Sequence, residues 1–306
     1  MAKTQSKPEN GETKTFSLIS NEKLLAIYTA MLKCRLLEQR ATSLFQHGKL
    51  DSDLHASAGL EATAAAGAID LQQEDTISIV PGDWLPAFVK GMSPETLFRA
   101  LAPSASQHSE ASAIEAAHKN ILMPSAQTDL PELVRERASV ASAAKKGAVV
   151  AAFIGPGKQA LAPWRKILQA AASKKLPIIF AHYTHGRAEP AGTSRSKKSA
   201  ALLEGLPSIA VDARDPVAVY RVAYEAIVRA RQVRGATVLQ CIIQDEPTAA
   251  SPRENNRPPL ENPMLDPIAA METYLKSKGI NPEPHNQQLV ATFNRDLDLA
   301  TRFLNT

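Results

Sequence analysis

The sequence predicts an α/β fold, a mainly parallel sheet with helices on both faces, and three observations carry that prediction. Apolar runs at 149–154, 178–182 and 238–243 are nearly continuous, as in parallel strands buried on both faces. Stretches with helical three-and-four apolar spacing lie between such runs, so strands and helices alternate along the chain. Glycine and proline follow several strand ends, as at Gly155 and Pro156, where a strand gives way to a turn.

Taken in order, residues 1–15 are polar, have little to bury, and belong to an expected disordered tail over 1–19. Ser20 is a plausible cap for a first helix. Leu24, Ile27, Tyr28, Met31, Leu32, Leu36 and Leu44 mark its buried stripe, which ends near His47 and Gly48. An alanine-rich helix follows Gly59, and a short strand over 76–80 stops at Pro81 and Gly82. The stretch 103–128 has weak periodicity and is expected to form a surface loop with a helical piece, before a helix over 131–146. A strand, a glycine turn, a helix reaching Lys175 and a second strand come next, then a polar loop over 187–200. A strand over 208–212 precedes Asp215 and Pro216, a capping residue and a first-turn proline heading a helix to about Arg234. After the strand 237–243 comes a proline-rich loop, and helices near 265–277 and 283–304 close the chain. Residues 20–306 thus form one α/β domain with C-terminal helices. The small-residue stretches 59–69 and 160–173 suggest tight helix packing across subunits, hence an oligomer.

Composition excludes several classes. The chain has 306 residues, 44% hydrophobic and 22% charged, which separates it from disordered and fibrous chains. A formal charge of +4 is spread along the sequence, apart from Arg195, Lys197 and Lys198, so no nucleic-acid partner is expected. No apolar run reaches membrane-span length and the N-terminus lacks a signal core, which predicts no membrane association and a cytoplasmic protein. Cys34 and Cys241 sit in apolar stretches far apart in sequence and are expected to be buried free thiols.

Several stretches carry a family resemblance together. His55, Gly59, Glu61 and Ala62 are spaced like a His-x-x-x-Gly-Gln-Glu-Ala turn, with Leu60 in place of Gln. Arg35, Glu38 and Arg40 lie in an opening helix of matching pattern. Gly205, Asp212, Asp215 and Tyr220 match a later strand and helix, and Asp266, Pro267 and Ile268 a C-terminal helix start. The interval from Gly155 to His185 is laid out like the strand, glycine turn, helix and strand that hold magnesium and a diphosphate. On these residues the chain resembles the alpha subunit of the thiamine-diphosphate-dependent 2-oxo acid dehydrogenases, the pyruvate and branched-chain decarboxylating components, over nearly all of 20–304. The resemblance implies a thiamine-diphosphate-binding-like fold and a beta-type subunit or a second copy as partner. The activity it implies is oxidative decarboxylation of a 2-oxo acid, as in the pyruvate dehydrogenase type.

The departures from that family fall on the cofactor. Its turn reads Gly-Asp-Gly and its second strand ends in two asparagines. Here the turn is Gly155, Pro156 and Gly157, and the asparagine positions hold Thr184 and His185. Magnesium favours hard oxygen donors, whereas proline offers no side-chain oxygen and histidine offers nitrogen. A tyrosine and an arginine that contact the cofactor in the family are replaced by Pro81 and Gly82, the next histidine by Trp84, and a histidine-bearing loop by 244–252 without histidine. Gly155 and Gly157 are then cofactor-binding positions in vestige, and Pro156 and His185 stand at former ligand positions.

Other candidates carry two readings each. His55 is either a catalytic or substrate-binding residue or a hydrogen-bonding support for a loop. Glu61 is either an acid or base beside it or a buried anchor for the helix start. His182 and His185 have the spacing of a metal pair, but residues three apart on a strand point to opposite faces, so no metal site is expected. Lys158 could meet a phosphate at a helix start or stand in solvent. Losing even an outer-shell support costs about 10–100-fold in affinity, and a micromolar cofactor is worth about 8 kcal/mol. The expected function is therefore a 2-oxo acid dehydrogenase alpha-like subunit, degenerate at its cofactor site and non-catalytic by itself. No cofactor is expected from this chain alone, and thiamine diphosphate with magnesium only if the family activity is retained. The alternatives are an active subunit completed by a beta chain, or a scaffold or regulatory subunit.

Overall fold

A computed structural model describes residues 19–51, 59–79, 83–103, 116–123, 129–144, 147–155, 161–185, 203–243 and 266–305. The tail expected over 1–19 lies outside them except for its last residue, and so does the whole loop expected over 187–200. The strands are β1 (Thr76–Ser78), β2 (Ile121–Leu122), β3 (Val150–Ile154), β4 (Ile178–His185), β5 (Ser208–Asp212) and β6 (Thr237–Ile243). They form one sheet in the order β2-β1-β3-β4-β6-β5, and every neighbouring pair is parallel. The apolar runs that point to central strands are indeed β3, β4 and β6, inside the sheet where both faces need cover.

Side-chain alternation divides the core. Ala151, Phe153, Ile179, Ala181, Tyr183, Leu239 and Cys241 face one side, packed with α1 (Asn21–Gln46), α2 (Glu61–Ala68), α3 (Leu85–Val89) and α4 (Pro94–Leu101). The same side takes the helices α7 (Pro216–Arg231), α8 (Pro267–Ser277) and α9 (Glu283–Ala300). Val150, Ala152, Ile154, Ile178, Phe180 and Val238 face the other side and meet α5 (Leu130–Ala144) and α6 (Arg165–Lys174). Phe180 is fully buried there with the Trp164 ring edge-on at 6.3 Å.

The helix boundaries follow local chemistry. Ser20 caps α1 by accepting the Lys23 amide, and the Asp215 carboxylate takes the amides of Val217 and Ala218 at the head of α7. Lys175 ends α6 in the left-handed region, φ 50, a conformation more usual for glycine. Two expectations need correction. The 103–128 stretch contains β2, a two-residue edge strand too short to leave a periodic signal. The alanine face of α2 is not left open for another subunit: Ala62, Ala64, Ala65, Ala66 and Ala68 are buried against this chain's own helices. Small side chains there let α2 sit between α1 and α7 inside the chain. Likewise α6 spends Ile167, Leu168 and Ala171 on its own sheet. No helix among the described residues is long and apolar enough to cross a membrane.

Candidate functional site

Because all six strands run the same way, their C-terminal ends share one edge, and that is where ligands bind in open parallel α/β sheets. The segments 80–82, 156–160, 186–202 and 244–265 leave β1, β3, β4 and β6 from that edge, outside the described residues. His55, Pro156, Gly157 and Lys158 likewise lie outside them. Gly155 follows Ile154 directly, and Ile154 pairs in register with His182. The backbone of His185 pairs with Ile243, three residues further along β4, roughly 10 Å beyond the end of β3. Gly155 and the His185 backbone therefore flank the same edge, as the sequence spacing requires.

His182 is buried, and its Nε2 has no hydrogen-bond partner among the described residues. Burial lowers its pKa to about 4, so at neutral pH the ring is uncharged. It belongs to the β4 face that meets α5 and α6. Among the described residues, no three His, Cys, Asp or Glu side chains converge as a metal site.

On the helix-rich face a second buried polar group lies beneath the edge. Asp83, just before α3, is 7% exposed, and neither carboxyl oxygen makes a hydrogen bond of ordinary geometry. Desolvation raises its pKa to about 6, against the smaller pull of the nearby Tyr183 hydroxyl and Leu85 amide. Tyr183 is itself fully buried, packed against Phe153 at 6.4 Å between ring centroids, with its phenol pushed well up by burial and then by Asp83. Burial, then Glu61, Glu38 and Asp83, push the Cys34 thiol up as well, and burial takes Cys241 to about 12. Both cysteines are buried free thiols held in the protonated form, poor nucleophiles and poor metal ligands.

Glu61 stands at the start of α2 with no exposed surface. One carboxylate oxygen accepts from Arg35 Nε of α1, and the other accepts the Gly59 amide at 2.8 Å. Arg35 continues with a two-pronged pair to Asp266, at 3.2 and 3.0 Å. Burial opposes the charge on Arg35, but Asp266 and Glu61 outweigh it and raise its pKa. Burial works against Asp266 too, and Arg35 outweighs it, leaving the carboxyl below its ordinary range. This geometry provides a helix anchor. Nearby, a cleft of about 450 Å³ lies between the starts of α7 and α8, lined in part by Arg214, Arg221, Met271 and Tyr274. The capping carboxylates Asp215 and Asp266 already occupy first-turn amides of both helices, so those amides are not open to an anion.

Asp83, Tyr183 and the Arg35–Asp266 pair were not marked as functional by sequence patterning. A charged residue between a glycine turn and the apolar Trp84, Leu85 and Pro86 is the one signal for Asp83. Nothing local announces that a tyrosine 100 positions away will cover it.

Comparison with known proteins agrees with the layout. The family described as Dehydrogenase E1 component matches residues 28–302. The chain is 26% identical over 323 residues to the "Pyruvate dehydrogenase E1 component subunit alpha" of Staphylococcus aureus (strain Mu50 / ATCC 700699), covering 96% of this chain and 82% of that protein. It is 27% identical over 307 residues to the protein of the same name from Staphylococcus epidermidis (strain ATCC 12228 / FDA PCI 1200), covering 93% and 78%.

Proposed function

Since the chain belongs to the dehydrogenase E1 component family, we propose that it is an alpha-type subunit whose thiamine-diphosphate site is degenerate and which does not catalyse by itself. It pairs with a beta-type subunit, or with a second copy, in a cytoplasmic complex and contributes a folded surface there. The observation that carries this reading is the donor set on the C-terminal edge. The turn after β3 carries Pro156 where the family needs a carboxylate, and β4 ends in Thr184 and His185 where it needs two amides. The carboxyl that does lie under that edge, Asp83, is sealed in the core without a hydrogen-bond partner of ordinary geometry, and His182, on the other face of the sheet, is neutral. Magnesium binds hard, accessible oxygens in an octahedral shell, so these residues do not fit a magnesium diphosphate.

Under this reading Gly155 and Gly157 are vestiges kept by the strand-to-helix turn. His55 and Glu61 serve the start of α2, where Glu61 already carries the Gly59 amide and Arg35. Calorimetric titration of magnesium and thiamine diphosphate into the chain, alone and with a beta-type chain, tests the reading. No heat of binding is expected in either case. Saturable micromolar binding in the pair would replace it with the second reading, an active subunit completed by its partner.

Repair of the turn alone will not restore binding. Pro156→Asp with His185→Asn supplies two oxygen donors, yet Pro81, Gly82, Trp84 and 244–252 still lack the family's contacts to diphosphate and ring. Metal and diphosphate bind as a unit, so the double variant is expected to stay weaker than about millimolar, roughly 4 kcal/mol. Micromolar affinity in that variant would show that the site was lost at one point and not at several.

A further inference from the structure

One guanidinium holds two helix starts that are distant in sequence. Arg35 of α1 gives Nε to Glu61 and both terminal nitrogens to Asp266. Each carboxylate in turn holds a backbone amide: Glu61 takes Gly59 N–H at 2.8 Å, and Asp266 takes Ile268 N–H at 2.9 Å. A hydrogen-bonded path therefore runs from the Gly59 amide to the Ile268 amide through three side chains, with Arg35 at its centre. His55 lies four residues before Gly59, and 244–265, which leaves the C-terminal edge after β6, ends at Asp266.

We propose that Arg35 is a positioning residue that couples the start of α2 to the start of α8, so that the Gly59 and Ile268 amides are held together and open together. The physical reason lies in geometry. A planar guanidinium engages two carboxylates on different edges only when both are in place, and displacing one frees the fork to turn. Glu61 has no exposed surface, so it cannot exchange Arg35 for water at low cost when the guanidinium turns away. Residues in one ion-pair network show interaction energies of a size that reads as a severalfold change in local opening. The coupling concerns the chain's own amides, so it stands whether or not the chain binds thiamine diphosphate, and its failure leaves the proposed function untouched.

Amide hydrogen exchange on the full-length chain tests it. Asp266→Asn, which removes charge at α8 and does not touch α2, is expected to speed exchange of the Gly59 amide by about threefold or more. Arg35→Lys keeps the charge but not the fork, and is expected to speed both the Gly59 and Ile268 amides by about tenfold. Asp215→Ala removes a cap of the same kind from α7 and should speed only Val217 and Ala218. Gly59 exchange unchanged in Asp266→Asn, or raised equally by Asp215→Ala, overturns the proposal. Should Asp266→Asn not fold, wild-type exchange at both amides in Arg35→Lys overturns it as well.

Discussion

Arg231→Met is expected to destabilise the fold by about 3 kcal/mol, because it strands a carboxylate where no water reaches. Asp75 has no exposed surface and precedes β1, and Arg231 at the end of α7 grips it at 3.0 and 2.6 Å. The same carboxylate accepts the amides of Val149 and Gln72, which orders the chain before β1 and before β3. Arg231 keeps a fifth of its surface in solvent, so the loss belongs at the low end of what a broken buried pair costs. Urea denaturation of the variant measures it. The double variant with Asp75→Asn should recover part of the loss, since the neutral amide still accepts from backbone and no longer needs a cation. A loss under about 1 kcal/mol in Arg231→Met would mean that Asp75 is held by its two amides alone.

Asp83→Asn is expected to stabilise the protein by about 3 kcal/mol at neutral pH and to expose an acid sensitivity that the wild type masks. The folded pKa of Asp83, about 6, lies above its ordinary 3.8, so the native state binds this proton more tightly than the unfolded chain does. Its ionised form therefore costs stability fully above about pH 6, and the cost disappears as pH falls toward 3.8. His182 has the opposite slope. Its folded pKa of about 4 lies below the ordinary 6.5, so stability is complete above 6.5 and is lost as pH falls toward 4. The two shifts are of similar size and nearly cancel between about pH 4 and 6.5. Without Asp83 only the His182 loss remains, and the variant's advantage should shrink by about 3 kcal/mol across that window. His182→Gln should do the reverse and gain on the wild type as pH falls. Urea midpoints across the window decide the matter, because the variant-minus-wild-type difference removes the other titrating groups. Parallel profiles for wild type and Asp83→Asn would show that Asp83 is solvated or paired in solution.

How much of this was legible beforehand varies by element. The central strands declared themselves, because burial on both faces leaves almost only apolar residues at 149–154 and 238–243. Asp215 with Pro216 placed the head of α7 to the residue, since a cap and a first-turn proline act within one turn. The edge strand β2 escaped notice because two residues cannot show a period, and α3 and α4 because five and eight residues barely can. At the site, the glycine turn and the end of β4 were found from the family resemblance, and the register of β3 and β4 brings Gly155 and the His185 backbone to one edge.

The alternation of strands and helices and the family follow from the order of residues along the chain. Each is a matter of residue type at a local spacing. Other features depend on which distant residues the fold brings together, and a linear pattern does not record that. Tertiary structure turned the alanine-rich α2 inward, where it packs between its own neighbours and leaves no small-residue face for a partner. It buried Asp83 beside Tyr183 on one face of the sheet and His182 on the other, neither with a hydrogen bond of ordinary geometry among the described residues, which sets their opposed titrations. It also joined Arg35 to Glu61 and Asp266 across 26 and 231 residues of sequence. A titratable group's charge and an ion pair's strength depend on desolvation and on partners across space, and both are set only once the sheet and its helices have closed around them.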